Sequence, residues 1–115
     1  MNAMTHGFSP EILRQHAGQA CALLKALGNE DRLMLLCALG GSAEGRLNVG
    51  QLEEVTGIRQ PTLSQQLAVL RQEGIVVTEK EGKYVFYRMA DPKASAVMET
   101  LFRLFCAADC PAATV

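Results

Sequence analysis

The 115-residue chain contains no tryptophan, only two tyrosines and two histidines, and no long apolar run. No stretch reaches the roughly 20 apolar residues that a membrane-spanning helix needs. The N-terminal segment, residues 1–6, lacks the basic start and apolar run of a secretory signal peptide. We therefore expect a cytoplasmic protein with no membrane partner. Its four cysteines are then expected to be thiols, metal ligands or redox sensors rather than a secreted disulfide framework.

The residue patterns that most enzymes need are also missing. The sequence has no glycine-rich phosphate-binding loop and no recognisable Ser/His/Asp motif, and both histidines, His6 and His16, lie near the N-terminus. We predict that the chain is not an enzyme, and no cofactor is expected.

An excess of basic charge, the usual sign of nucleic-acid binding, is absent from the chain as a whole, whose net charge is −1. The charge is unevenly placed, however. Residues 57–90 carry five basic and three acidic side chains, a net charge of +2, whereas the rest of the chain carries −3. A mildly positive surface, doubled in a dimer, can bind DNA with modest non-specific affinity.

Hydrophobic periodicity and turn signals predict one domain over residues 9–110, between a flexible tail at 1–8 and a second tail at 111–115. The predicted order is α-α-β-α-α-β-β-α, a mainly α fold with a β-hairpin wing. Helices are predicted to begin at the capping residues Ser9 and Asn29. In the second helix, four residues are predicted to face inward: Leu33, Leu36, Cys37 and Leu39.

The middle of the chain predicts a helix-turn-helix. Asn48 and Gln51 have capping-box spacing at the start of a third helix, whose Leu52 and Val55 are predicted to face inward. A turn at Gly57 leads to a fourth helix from Gln60 to Arg71, in which Leu63, Leu67 and Leu70 form an apolar stripe. Its opposite face is rich in amides and hydroxyls, which suit base edges and phosphates. Taken alone, it is equally typical of a solvated amphipathic helix.

The C-terminal third predicts a wing and a last helix. The β-rich runs 75–79 and 83–89, joined by Lys80-Glu81-Gly82, predict a hairpin directly after the fourth helix. A last helix is predicted to begin near Pro92, to carry apolar residues as far as Phe105 and to be stopped by Pro111. The apolar excess on the first and last helices favours a dimer interface.

These elements, in this order, resemble the ArsR/SmtB family of winged-helix repressors. The matching stretches are 24–33, 48–73, 70–76 and 83–88, and the resemblance covers roughly residues 20–106. It implies a homodimer whose recognition helices enter successive major grooves of an imperfect inverted repeat in double-stranded DNA. It also implies which residues contact DNA. The contacts in the major groove are expected from Gln60, Thr62, Ser64 and Gln65. Arg59 and Arg71 are expected to contact the sugar–phosphate backbone, and Lys80 and Lys83 are expected to contact DNA from the wing.

The sequence departs from the family pattern in two places. Arg59 occupies a place where many relatives have a small N-capping residue. Glu79 and Glu81 lie in a wing that is usually more basic, which weakens the expected wing contact with DNA.

Many members of the family sense metals, but the ligands of the two standard sites are missing here. In the first site, the family has a Cys-x-Cys pair at the start of the third helix, where this sequence has Asn48-Val49-Gly50. The second site, on the last helix, needs acidic and histidine ligands, but residues 91–106 contain no histidine. Thiolate and imidazole are the ligands that select zinc or copper, so no metal site of either standard kind is predicted.

Cys37 and Cys106 resemble, by position, the cysteine pair of the redox- and sulfide-responsive subgroup that includes BigR, SqrR and HlyU. This resemblance implies a switch in which reactive sulfur species or oxidants couple the two thiols as a disulfide or polysulfide, and the protein leaves DNA. Two alternatives stay open: inert packing of the cysteines, and a metal-responsive repressor with a non-standard site. That site would combine Cys37, Cys106 and Cys110 with His6 or His16. The roles of Cys21 and Cys110 also stay open.

Overall fold

The computed structural model describes residues 9–106 and confirms the predicted winged helix-turn-helix. The elements are α1 (Pro10–Leu27), α2 (Glu30–Gly41), β1 (Arg46–Asn48), α3 (Val49–Thr56), α4 (Thr62–Gln72), β2 (Val76–Glu81), β3 (Tyr84–Met89) and α5 (Pro92–Phe105). The strands form one antiparallel sheet in the order β1-β3-β2. The predicted tails at 1–8 and 111–115, and Cys110, lie outside the described residues.

Side-chain caps set the helix starts, as the sequence predicts. Ser9 Oγ and Asn29 Oδ1 each accept a backbone N–H from the first turn of α1 and α2. At α3 the capping box is complete, with Asn48 and Gln51 exchanging two hydrogen bonds of 2.9 Å. Each such cap contributes about 1 kcal/mol to helix stability.

The core is built around α2, which packs against α1, α3, α4, α5, β1 and β3. Its inner side meets the leucine stripe of α4, and these six side chains are at most 1% exposed: Leu35, Leu36, Leu39, Leu63, Leu67 and Leu70. Burying each leucine contributes roughly 1.5–3 kcal/mol. The predicted apolar stripe of α4 is therefore confirmed.

Two predictions of inward-facing residues are wrong. Val55 is 63% exposed, because the short helix α3 buries only Leu52. Cys37 is exposed on the outer side of α2. Since α2 is apolar nearly all round, its periodicity could not specify which side packs, and the buried stripe runs through Leu35 rather than Cys37.

Helix α2 ends at Gly41, where Ser42 Oγ donates a hydrogen bond to the Leu39 carbonyl. Two predicted boundaries move. Lys80 and Glu81 belong to β2, so that the hairpin turn is Gly82-Lys83, with Gly82 in the left-handed region that a tight hairpin requires. Helix α4 begins at Thr62 rather than at Gln60.

Large apolar side chains remain exposed on α1 and α5. Their exposed fractions lie between 40% and 75% for Ile12, Leu13, Leu24, Leu104 and Phe105. A surface of this kind is typical of an interface with another chain. None of the helices within residues 9–106 is both long enough and apolar enough to cross a membrane.

The contrast within α3 gives a test of the fold. We expect Leu52→Ala to lower the free energy of unfolding by about 2–5 kcal/mol, because it leaves a cavity in the core. Val55→Ala on the same helix should change it by less than about 0.5 kcal/mol. Urea denaturation of both variants with excess reductant measures the difference, and equal losses would contradict the burial of Leu52.

Candidate nucleic-acid interface and thiol pair

Helix α4 presents a polar face because its leucine stripe rests on α2. Ser64, Gln65 and Arg71 are exposed on this face, and Thr62 is half-buried at the first helical position. Ser64 and Arg71, with Tyr87 of β3, line a shallow groove between α4 and the wing. The structure therefore exposes Ser64, Gln65 and Arg71, and it brings Ser64 and Arg71 together in one groove.

The turn before α4 is fixed by a few polar contacts. Gly57 ends α3 with a φ of 75°, a left-handed conformation that strains other residues. Thr56 Oγ1 donates to the Leu52 carbonyl at 2.6 Å and accepts the Ile58 N–H at 3.2 Å. These bonds hold the chain as it passes from one helix to the next, with Ile58 buried.

Gln60 lies in this turn and helps to start α4. Its Oε1 accepts the Ser64 N–H at 3.0 Å, a bond that the capping position, Pro61, cannot make with its own side chain. The NH₂ group of Gln60 is left to act as a donor. Arg59 is exposed, and its carbonyl accepts a hydrogen bond from the Leu63 N–H. It occupies the position where many relatives have a small N-capping residue.

The two faces of the wing carry different charges. Side chains alternate between the faces of a sheet, and the register pairs Arg46 with Arg88 and Glu79 with Phe86. Arg46, Glu79 and Glu81 therefore share one face. Lys80 lies on the opposite face, the one from which Tyr87 reaches the groove beside α4.

Arg46 pairs with both acidic residues on its face of the wing, and Arg88 Nε lies 3.5 Å from the second carboxylate oxygen of Glu79. Its Nη1 lies 2.9 Å from Glu79 Oε1, its Nη2 lies 3.1 Å from Glu81 Oε2, and its guanidinium lies 4.0 Å from the centre of the Phe86 ring. Hydrogen bonds to Glu79 first, and then to Glu81, raise the pKa of Arg46 above its usual value. Because Glu79 and Glu81 are paired with Arg46, they repel DNA phosphates less than two unpaired carboxylates would.

Sequence reasoning missed Arg46. The residue pairs with acids more than thirty positions away, and only the strand register brings them together. Lys83, which the sequence predicts as the first residue of the second strand, lies instead in the hairpin turn, with its Nζ 5.5 Å from the centre of the Tyr84 ring.

Cys37 lies at the contact between α2 and α5, and Cys106 lies at the C-terminal end of α5. Cys37 lines a cavity of about 250 Å³ together with Leu36, Met98 and Phe102. Cys106 follows α5, is half-buried, and donates its N–H to the Phe102 carbonyl at 2.8 Å. Cys106 is thus one helical turn beyond a residue that shares the cavity with Cys37.

The other cysteines and the possible metal ligands are less connected to this site. Cys21 is exposed on α1, and no disulfide joins the three cysteines between residues 9 and 106. Over the same residues, no group of three His, Cys, Asp or Glu side chains is placed to hold a metal ion. Of the alternative metal ligands, Cys110 and His6 lie outside the described residues, and His16 is exposed on α1.

Comparison with known proteins places this arrangement among bacterial regulators. Residues 29–78 match the profile described as "Bacterial regulatory protein, arsR family". The biofilm growth-associated repressor of Agrobacterium fabrum is 50% identical over 95 residues, which span 83% of this chain and 79% of that protein. Such relatives are transcriptional regulators, in agreement with the prediction that the chain is not an enzyme.

Solved structures agree with this placement. The transcriptional repressor BigR from Xylella fastidiosa superposes with a TM-score of 0.77 at 44% identity, covering 88% of this chain and 97% of that one. Reduced HlyU from Vibrio cholerae gives a TM-score of 0.75 at 40% identity, covering 82% and 96%.

The Arg46 cluster gives a prediction that depends on ionic strength. We expect Arg46→Gln to lower the thermal unfolding midpoint, and to do so more at low salt than at high salt, because the lost contacts are largely ionic. Arg103→Gln, which removes one exposed ion pair within α5, serves as the control. A loss that is the same at both salt concentrations would contradict the ionic role of Arg46.

Proposed function

The chain belongs to the arsR family of bacterial regulatory proteins, and from that premise we propose that this DNA-binding regulator is a cytoplasmic, homodimeric repressor switched by two thiols. Its operator is released when Cys37 and Cys106 are coupled by reactive sulfur species or oxidants. The observation that carries the proposal is α2, which presents Cys37 beside α5 on its outer side and holds α4 on its inner side.

DNA recognition is assigned to α4 and the wing. Exposed Gln65 and Ser64 can bond base edges in the major groove, where a side-chain amide pairs well with adenine. Contacts to the sugar–phosphate backbone position the protein without reading sequence. The full proposed set comprises Arg59, Gln60, Thr62, Ser64, Gln65 and Arg71 around α4, and Lys80 and Lys83 on the wing.

The exposed apolar surfaces of α1 and α5 are assigned to a second copy of the chain. A symmetric dimer presents two α4 helices about 34 Å apart, the repeat of the double helix, so that each enters one of two successive major grooves. The operator is then an imperfect inverted repeat in double-stranded DNA. Two mildly positive surfaces also double the attraction to phosphate.

The thiol chemistry needs only an inducer of small size. A thiolate of the pair attacks the outer sulfur of an organic persulfide, which forms a cysteine persulfide and expels the parent thiol. The second thiolate attacks the cysteine sulfur of that persulfide, forms the disulfide and expels hydrosulfide. With a peroxide, the first product is a sulfenic acid, and the second thiol displaces water. The cavity beside Cys37 gives such reagents room to approach.

Formation of the bridge changes DNA binding through the packing of α2 against α4. Because α2 and α4 meet through fully buried leucines, α2 cannot move toward α5 without displacing α4 or opening a void. Two discrete arrangements of the helices, one for the thiols and one for the bridge, then correspond to bound and free repressor.

Base reading by α4 can be tested at Gln65. We expect Gln65→Ala to weaken operator binding by on the order of 1–3 kcal/mol, and to do so mainly for operators with the preferred base at one position. Gln72→Ala, at the far end of the same helix, is the matched control, since the first turns of a recognition helix contact the bases. Binding titrations against single-base operator variants measure both effects. A uniform loss across all sequences would assign Gln65 to phosphate instead.

The thiol switch can be tested by a gel shift on the protein's own upstream DNA. Reduced protein should bind, and protein treated with glutathione tetrasulfide or hydrogen peroxide should release. Cys37→Ser and Cys106→Ser should each stay bound after treatment, while Cys21→Ser should release like the parent. Release by either of the first two variants would refute the dithiol mechanism. Stoichiometric zinc in the active, purified repressor would favour the metal-responsive alternative.

A further inference from the structure

One side chain joins three helices of the domain. Arg32, in the first turn of α2, donates from Nε to the Ala26 carbonyl at 2.5 Å and from Nη2 to the Lys25 carbonyl at 3.0 Å. Its Nη1 donates to Gln66 Oε1, in the middle of α4, at 2.8 Å. The end of α1 and the recognition helix are therefore held by a single guanidinium group.

The two carbonyls explain why an arginine is needed here. The last four carbonyls of a helix lack partners within it and carry the negative end of its dipole. Arg32 supplies both donors and positive charge at the end of α1. Its planar fork can serve this helix end with one edge while the remaining nitrogen reaches α4.

The bond to Gln66 provides what the leucine contact between α2 and α4 lacks. The leucine stripe determines which side of α4 faces α2, but the hydrophobic effect itself is non-directional and supplies no bond of fixed geometry. A hydrogen bond of 2.8 Å to a fixed donor is directional. Gln66 is the neighbour of Gln65 and follows Thr62 by one turn, so the bond defines how the polar face of α4 is turned.

We propose that Arg32 is a positioning residue that sets the orientation of α4 relative to α1. Since α1 carries part of the apolar surface assigned to the dimer, Arg32 then determines how far apart the two recognition helices lie and how they face the DNA. Its effect on function is selectivity for the spacing between operator half-sites. This inference rests on the proposed homodimer.

The test uses operator spacing as its readout. An operator is selected from a random duplex pool with the reduced parent protein, and duplexes with one base pair inserted or deleted at its centre are compared with it. Each base pair shifts the half-sites by about 3.4 Å. The parent should bind the altered duplexes much more weakly. Gln66→Met, which leaves the cap on α1 intact, should bind the matched operator about tenfold more weakly. It should also lose much of the discrimination between spacings.

Two further variants separate positioning from stability. Arg32→Lys, which also loses bonds to the end of α1, should lose at least as much discrimination between spacings as Gln66→Met. The double variant should discriminate no worse than Arg32→Lys alone, because the bond to Gln66 is already missing there. Arg103→Lys, whose bonds stay within α5, should keep the parent's discrimination. Thermal unfolding of each variant shows how far stability has changed.

The outcomes distinguish the two proposals. If Gln66→Met discriminates spacing as sharply as the parent does, whatever its unfolding midpoint, the positioning role of Arg32 is refuted. If the parent itself tolerates every spacing, or binds as a monomer in sedimentation, the proposed homodimer fails and this inference fails with it.

Discussion

The packing of α2 against α4 is the contact on which the rest of the protein depends. The leucines of the two helices exclude solvent completely, and the same α2 also touches α1, α3, α5 and the sheet. A close-packed contact of this kind moves as a unit, because a gap between the helices forfeits dispersion energy and leaves a cavity. Whatever displaces α2 therefore displaces the helix assigned to DNA.

Because α2 and α4 are packed together, their remaining sides and the wing are free for different roles. The outer side of α2 is left to Cys37 and to the cavity it shares with α5. The side of α4 that faces away from α2 carries polar groups. Two polar contacts hold this helix in place: Gln60 bonds to its first turn, and Arg32 bonds to Gln66 in its middle. On the wing, Arg46 holds two carboxylates on the face opposite Lys80. The acidic composition of the wing is thus compatible with a basic contact on its other face.

The sequence predicts most of the fold because the signals are local. The capping residues, the leucine stripe of α4 and the turn at Gly57 each act within a few positions, and the order of elements follows from them. The facing of Cys37 could not be predicted, since α2 is apolar on several sides and only its neighbours decide which side is buried. The bond from Arg46 to Glu79 and the bond from Arg32 to Gln66 each join residues more than thirty positions apart along the chain, and the fold itself brings them together. The residues proposed to contact DNA are distinguished by their side-chain chemistry and by the family resemblance, both of which are present in the sequence.

The central claim is that a covalent bridge between α2 and α5 is what moves α4 off DNA. The most direct measurement follows one titration of the operator-bound protein with glutathione persulfide. Peptide mass spectrometry gives the fraction of Cys37–Cys106 pairs that are bridged, and fluorescence anisotropy of the labelled operator gives the fraction of DNA released. The account predicts that the two fractions rise together. Complete release from protein whose Cys37 and Cys106 carry separate modifications, with no bridge between them, would contradict it.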